Sequence, residues 1–124
     1  MAGKRILIAD DDLEILDVLV RKLRENNYEV MGFQEGKDVM EKCKICNPDL
    51  ILLDIVMRDV DGYTVAHTLR EDKALENIPI IFVTAQELEY SVISKRLAEI
   101  GHCDFIAKSR TFDELLAKIK EKIG

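Results

Sequence analysis

The stretch Asp49-Leu-Ile-Leu-Leu-Asp54 decides the fold of this chain. Its four consecutive apolar residues are too few for a helix, and they lack the polar alternation of a strand with one face in water. Such a run is typical of a strand that is covered on both faces in a parallel sheet. Short, mainly apolar runs lie on either side of it, and the sequence therefore predicts five strands, at residues 5–9, 28–33, 49–53, 80–83 and 103–106.

Segments of helical period separate these strands. Helices are predicted over residues 12–26, 36–46, 62–72 and 87–100, and a last helix begins at the capping pattern Thr111-Phe-Asp-Glu114. Strand and helix alternate five times, and right-handed crossovers turn this order into an α/β fold with helices on both faces of an open parallel sheet. In the fourth helix the expected buried stripe consists of Val92, Ile93, Leu97 and Ile100.

Composition and charge limit the possible functions. The 124 residues correspond to one domain, and the net charge of −6 argues against nucleic acid as a direct partner, because phosphate binding requires cations. No apolar run approaches the roughly 20 residues of a membrane span. The three cysteines show no disulfide spacing, so we expect a reducing, cytoplasmic location. Cys43 and Cys46 continue an apolar stripe and are expected to be small core residues rather than metal ligands.

Three acids and one base follow the predicted strands. Asp10 and Asp11 follow the first strand, Asp54 the third and Lys108 the fifth. In such folds ligands bind beyond the carboxyl ends of the strands, so these side chains are expected to meet there. Crowded carboxylates repel one another, and Mg²⁺ removes that conflict. Asp12, by contrast, is expected to cap the first helix.

Asp54 is the best candidate for a reacting group. A carboxylate can attack phosphorus and form an acyl phosphate, and this transfer needs mainly in-line positioning and charge neutralisation. Lys108 can supply a cation, Thr84 a hydroxyl donor and Ala85 a backbone N–H donor. Each of these residues alone is ordinary, but their joint placement at strand ends favours a site.

Five motifs occur in order along the chain: Ile6-Leu-Ile-Ala-Asp-Asp11, Pro48-Asp-Leu-Ile-Leu-Leu-Asp54, Asp61-Gly62, Pro79-Ile-Ile-Phe-Val-Thr-Ala85 and Asp104-Phe-Ile-Ala-Lys108. Together they resemble the receiver domain of two-component response regulators, of the chemotaxis-regulator kind, over essentially the whole chain. The resemblance implies a flavodoxin-like, doubly wound sheet of five parallel strands in the order 2-1-3-4-5, flanked by five helices.

The resemblance also implies a phosphorelay function. Asp54 would accept a phosphoryl group from a phosphohistidine on a sensor histidine kinase or phosphotransfer protein, and the domain would catalyse only its own phosphorylation and autodephosphorylation. Mg²⁺, for which Mn²⁺ can substitute, would be held by Asp10, Asp11, Asp54 and the Val56 carbonyl. Thr84, Ala85 and Lys108 would hold the phosphoryl group.

A conformational switch is implied as well. Phe105 would change rotamer when Thr84 shifts, and because Phe105 lacks the hydroxyl of the tyrosine often found there, the switch would work through packing alone. Val56 and Gln86 occupy positions that the family varies to set the phosphoryl lifetime. An apolar Val56 cannot position an attacking water, so slow-to-moderate self-hydrolysis is expected.

Two residues depart from the family pattern. Arg58 stands where a proline is usual, which predicts either a looser loop or a contact with a partner. Ser109 replaces the proline that commonly follows the lysine, where the bond is often cis. A cis bond before serine costs ~3 kcal/mol, so we expect a trans bond or backbone strain, either of which can shift Lys108.

Two other functions compete with the phosphorelay interpretation. One is an interaction module of the same fold that is not phosphorylated, and the other is a flavodoxin-like phosphohydrolase with Asp10 as its nucleophile. The expected unit is a single receiver domain over residues 1–124 without an output domain. It would act as a monomer or as a weak, phosphorylation-dependent dimer, with an output partner that the sequence does not identify.

Overall fold

The computed structural model describes residues 3–85 and 90–124, and it contains the five predicted strands. They are β1 (Arg5–Ala9), β2 (Glu29–Phe33), β3 (Leu50–Leu53), β4 (Ile80–Thr84) and β5 (Cys103–Ala107). All pairings are parallel and the strand order is β2-β1-β3-β4-β5, which confirms the expected topology. β1, β3 and β4 are buried along almost their whole length, as their unbroken apolar runs predict.

The five helices within the described residues alternate with the strands. They are α1 (Leu13–Glu25), α2 (Gly36–Cys46), α3 (Gly62–Glu71), α4 (Tyr90–Ile100) and α5 (Phe112–Ile123). The first part of the fourth predicted helix, residues 87–89, lies outside the described residues. We call the side of the sheet where strands end the carboxyl edge, and the side where they begin the amino edge. Each helix starts at the carboxyl edge, because it runs back against the strand before it.

Two apolar clusters hold the helices onto the sheet. On one face, β-strand residues such as Leu53 and Phe82 pack with side chains of α2, α3 and α4. On the other face, Ile8 and Leu52 pack with side chains of α1 and α5. Alternate residues of each central strand therefore serve opposite clusters, as the two-residue period of a strand requires.

Local sequence signals set several helix ends. The Asp12 carboxylate accepts hydrogen bonds from the N–H groups of Glu14 (3.0 Å) and Ile15 (3.3 Å), which confirms the predicted cap of α1. Thr111 caps α5 through the N–H of Glu114 at 3.2 Å. Gly101 follows α4 with a φ of +83°, a conformation that glycine adopts without strain.

The apolar stripe of α4 differs from the expectation at one residue. Ile93 and Ile100 are buried and Leu97 is half-buried, but Val92 is 51% exposed. Residues 93, 97 and 100 follow the spacing of one helix face, and Val92 lies about 100° away from Ile93 around the axis. The cysteine expectation holds fully for Cys43, which is buried, and in part for Cys46, which is half-buried.

At the amino edge, Arg70 joins three segments of the chain. Its guanidinium donates to the carbonyl oxygens of Gly101 (2.9 Å), His102 (3.2 Å) and Leu75 (3.3 Å). The end of α3, the connection to β4 and the turn between α4 and β5 are thereby tied to one side chain.

Candidate functional site

Backbone pairing brings Asp10 and Asp54 side by side at the carboxyl edge. Ala9 pairs with Leu53 in neighbouring strands, so the residues that follow leave the sheet together. The N–H of Asp54 donates to the Ala9 carbonyl, and the N–H of Asp10 donates to the Phe33 carbonyl, each at 3.0 Å. The two acids thus extend the hydrogen bonding of the sheet and have fixed backbones.

Three carboxylates converge at this edge. Asp10, Asp11 and Asp54 each offer an oxygen, and these oxygens lie within 4.8 Å of one another. Asp10 and Asp54 are buried, whereas Asp11 is half-buried. Oxygen ligands at such separations suit a hard divalent cation.

Lys108 completes the group of charged side chains. Its Nζ lies 2.9 Å from Asp10 Oδ2 and 3.1 Å from Asp54 Oδ2. The Lys108 N–H donates to the Thr84 carbonyl at 2.8 Å, which fixes the start of the side chain beyond β5. The bond to Ser109 is trans, the first of the two expected outcomes, and the ammonium reaches both acids from it.

Burial and charge act against each other in this pocket. Burial raises the pKa of the Asp54 carboxyl, and the hydrogen bond and charge of Lys108 oppose that rise without cancelling it. Burial alone would lower the pKa of Lys108, but Asp10 and Asp54 together outweigh it and raise this pKa. The charged form of Lys108 is therefore favoured and that of Asp54 disfavoured, and an additional cation would relieve the cost of the Asp54 charge.

The loop from Asp54 to Gly62 wraps closely around the Asp54 backbone. Asp54 Oδ1 accepts the Val56 N–H at 3.3 Å, and the Gly62 N–H donates to the Ile55 carbonyl at 2.7 Å. A Cβ at Gly62 would clash with the Asp54 carbonyl oxygen, which explains the glycine. Asp61 then caps α3 through the N–H of Thr64 at 2.9 Å.

The remaining predicted site residues lie on β4 and β5. Thr84 ends β4 and is buried, Ala85 follows it and is exposed, and both stand beside the strand that leads to Asp54. Phe105 pairs with Phe82 within the sheet and packs against the cluster that includes α3 and α4. Gln86 lies outside the described residues.

One residue at this edge was not predicted. Asp59, in the same loop, accepts the N–H groups of Gly36 and Lys37 at 3.0 Å each and so caps α2 from a distance in sequence. The signal that points to it is indirect: Glu35, at the start of α2, makes no side-chain capping bond, so the cap must come from elsewhere.

Comparisons with known proteins agree with this geometry. The family described as "Response regulator receiver domain" matches residues 6–120. The chain is 31% identical to the alkaline phosphatase synthesis transcriptional regulatory protein PhoP of Bacillus subtilis over 95% of its own length, and 35% identical to the nisin biosynthesis regulatory protein NisR of Lactococcus lactis over 96%. It covers 48% and 50% of these relatives, so it spans about half of their length.

Solved structures resemble the whole fold. The response regulator protein TrrA of Thermotoga maritima, solved in complex with Mg²⁺–BeF, has a TM-score of 0.83 and 33% identity, with 97% of this chain and 99% of that chain covered. The chemotaxis protein CheY4 of Vibrio cholerae has a TM-score of 0.90 at 20% identity, covering 98% and 100%, which shows the shared fold.

No helix among residues 3–85 and 90–124 has both the length and the apolar character that crossing a bilayer demands. The matched family covers 115 of the 124 residues, from Ile6 to Lys120, and the strand order, the acidic cluster and the lysine all agree with it. The chain therefore belongs to the response regulator receiver domain family of two-component signalling.

Proposed function

We propose that Asp54 accepts a phosphoryl group from a phosphohistidine on a sensor kinase or phosphotransfer protein. One observation carries the proposal: a buried carboxylate at the carboxyl edge lies 3.1 Å from an ammonium and within 4.8 Å of two further acids. A structural aspartate would gain nothing from neighbours of its own charge, whereas a phosphoacceptor needs cations gathered around it.

The chain's own residues account for most of the transfer. An Asp54 carboxylate oxygen attacks phosphorus and forms the acyl–phosphate bond, while the bond between phosphorus and the donor imidazole nitrogen breaks and its electron pair stays on that nitrogen. Lys108 would move its ammonium from the carboxylate to the phosphoryl oxygens. Thr84 and the N–H of Ala85 would donate hydrogen bonds to the same oxygens.

The acidic cluster fits Mg²⁺, and Mn²⁺ would fit the same oxygen donors. We propose that Asp10, Asp11, Asp54 and the Val56 carbonyl hold the ion, with Asp10 acting through water. Asp10 is suited to that indirect role, because its oxygens already accept the Asp12 N–H at 2.9 Å and the Lys108 ammonium at 2.9 Å. When bound, the ion would neutralise charge on the phosphoryl oxygens.

The same chemistry would limit the domain to its own phosphorylation and dephosphorylation. Val56 is 49% exposed beside the acceptor and offers no group that can orient a water. We therefore expect the phosphorylated protein to persist for minutes or longer, and a half-life of seconds would contradict this.

A switch would report the phosphorylated state. Thr84 would move toward the phosphoryl group, and Phe105 would turn into the space that it leaves. The output partner is a second protein or domain: the curated relatives are transcriptional regulators about twice as long as this chain, and residues 1–124 would be the receiver part of such an arrangement, cytoplasmic and monomeric or weakly dimeric.

Incubation with acetyl phosphate and Mg²⁺ tests the proposal. We expect intact-protein mass spectrometry to show a gain of one phosphoryl group in the wild type and none in Asp54→Asn, with Asp49→Asn as a matched control at the amino edge that still gains it. No gain in any variant would instead support an unphosphorylated interaction module. Steady hydrolysis of a phosphomonoester that is lost in Asp10→Asn but kept in Asp54→Asn would support a phosphohydrolase.

A further inference from the structure

The first turn of α2 is capped by the loop that follows β3. Helix starts leave N–H groups without partners, and the residue before the helix usually supplies the cap. Glu35 occupies that position and makes no such bond. Instead the two Asp59 oxygens accept one N–H each, from Gly36 and Lys37, both at 3.0 Å. These amides, chiefly that of Lys37, hold the pKa of Asp59 below its ordinary value.

Packing beside these bonds is equally close. Gly36 is buried, and a Cβ there would approach a Val60 methyl carbon at 2.5 Å and a Val65 methyl carbon at 2.9 Å. The start of α2 thus admits no side chain at Gly36 without displacing the loop. Two independent features, an ionic cap and a glycine contact, fix the middle of the loop against α2.

The fixed part of the loop continues directly into the acceptor. Val56 lies three residues before Asp59, and its N–H donates to Asp54 Oδ1 at 3.3 Å. At the other end of the loop, Gly62 is held to the Ile55 carbonyl. Arg58, in between, is exposed and lacks the fixed φ that a proline would impose. The cap on α2 therefore adds a restraint to this segment beyond the buried side chain of Met57.

We propose that Asp59 is a positioning residue: by anchoring the loop to α2 it holds the Val56 N–H, and through it the Asp54 carboxylate, in the orientation that binds the divalent cation and accepts the phosphoryl group. This inference rests on the proposed function of Asp54. The Asp59 carboxylate, through its hydrogen bonds to α2, would restrain this loop as a proline at position 58 would.

Asp72 provides a matched control. It is also an aspartate in a loop directed at α2, where its carboxylate accepts the Ala74 N–H at 2.9 Å and pairs with Lys44 of α2 at 3.0 Å. It lies after the end of α3, at the amino edge and thus at the opposite edge of the sheet from the site. Truncating either aspartate removes a comparable set of contacts, but only Asp59 bears on the acceptor loop.

Calorimetric titration with Mg²⁺ of the wild type, Asp59→Ala, Asp59→Asn and Asp72→Ala tests the role. We expect Asp59→Ala to raise the Kd for Mg²⁺ about tenfold, as loss of a group that orients a ligand does. Asp59→Asn keeps one good acceptor, so its Kd for Mg²⁺ should lie between those of the wild type and Asp59→Ala. Asp72→Ala should change Kd by less than about twofold, because it is remote from the site. The amide of Val56 should exchange faster with solvent in Asp59→Ala only.

A second substitution shows whether Asp59→Ala weakens Mg²⁺ binding through the loss of loop restraint or only because the variant fails to fold. Adding Arg58→Pro to Asp59→Ala restores restraint without the cap, so it should recover most of the Mg²⁺ affinity. Equal Kd values for Asp59→Ala and Asp72→Ala, with unchanged exchange at Val56, would overturn the positioning role while the proposed function stands. Absence of Mg²⁺ binding in the wild type would overturn the proposed function itself.

Discussion

The carboxyl and amino edges of the sheet carry the same kinds of charged residue in opposite environments. At the carboxyl edge, Asp10 and Asp54 are buried and share one ammonium. At the amino edge, Arg5 pairs with Glu29 at 3.0 Å, and both side chains are nearly half exposed. Exposed pairs are screened by water and contribute little, whereas buried like charges are costly. The carboxyl edge, where a cluster is kept at a cost to stability, is therefore the edge to which the proposed function assigns the chemistry.

The largest difference between the two edges is expected when Lys108, the cation shared at the carboxyl edge, is replaced. Lys108→Met removes the ammonium that two buried carboxylates share, and we expect the free energy of unfolding to fall by about 3 kcal/mol. The rate of phosphorylation by acetyl phosphate should fall at least about 100-fold, because the charge on the phosphoryl oxygens loses its ammonium. Urea denaturation and mass spectrometry measure the two effects. A stability equal to that of the wild type would show that the ion pairs of Lys108 with Asp10 and Asp54 do not stabilise the fold.

Mg²⁺ should stabilise the protein only through the carboxyl edge. At about ten times its Kd, the ion should raise the free energy of unfolding by about 1.4 kcal/mol, since it binds the folded state alone. The thermal midpoint with and without EDTA measures this gain. Asp11→Asn should lose most of it, while Arg5→Ala should keep all of it. An equal gain in both variants would place the ion elsewhere.

Acid should affect the two edges with opposite sign in the absence of divalent cations. The folded-state pKa of Asp54 is raised by burial, so on acidification the folded protein binds this proton before the unfolded chain does, and stability increases as pH falls through that pKa toward the ordinary value of 3.8. The pKa of Asp72 is lowered, first by the Lys44 hydrogen bond, so its contribution is present above pH 3.8 and is lost on further acidification. Difference curves of stability against pH for Asp54→Asn and Asp72→Asn should therefore slope in opposite directions. Slopes of the same sign would contradict the expectation that Asp54 and Asp72 affect stability oppositely on acidification.

The smallest effect is expected at the exposed pair. Arg5→Ala should cost less than about 1 kcal/mol, because water screens its pairing with Glu29 and the other side-chain bond that it makes to a described residue, to the Cys46 carbonyl, is also exposed. Raising the salt concentration should reduce even this difference. A loss as large as that in Lys108→Met would erase the distinction between the edges.

The sequence predicted the fold well because the central strands are nearly pure apolar runs. β1, β3 and β4 are buried on both faces, and short runs of this kind are typical of central strands in a parallel sheet that helices cover on both sides. Boundaries were less certain, since β4 extends to Thr84 and β5 to Ala107, one residue past each predicted end. Val92 was misplaced because an apolar residue at the margin of a helical stripe can face either way.

The sequence predicted which residues meet at the site, but not which of their side chains bond to one another. That strand ends meet follows from parallel topology, so Asp10, Asp54 and Lys108 could be grouped from their positions alone. That Lys108 bonds Asp10 as closely as Asp54 depends on side-chain rotamers, which no sequence pattern specifies. Asp59 escaped notice because its partners lie 22 and 23 residues away, beyond any local capping motif.

The three carbonyl bonds of Arg70 have a mechanical consequence. Two of them hold the carbonyl groups of Gly101 and His102, the two residues that directly follow α4. The C-terminal end of α4 is thus held in place at the amino edge. Any tilt of the helix should be smallest at Ile100 and should grow along its length toward its start at Tyr90, at the carboxyl edge.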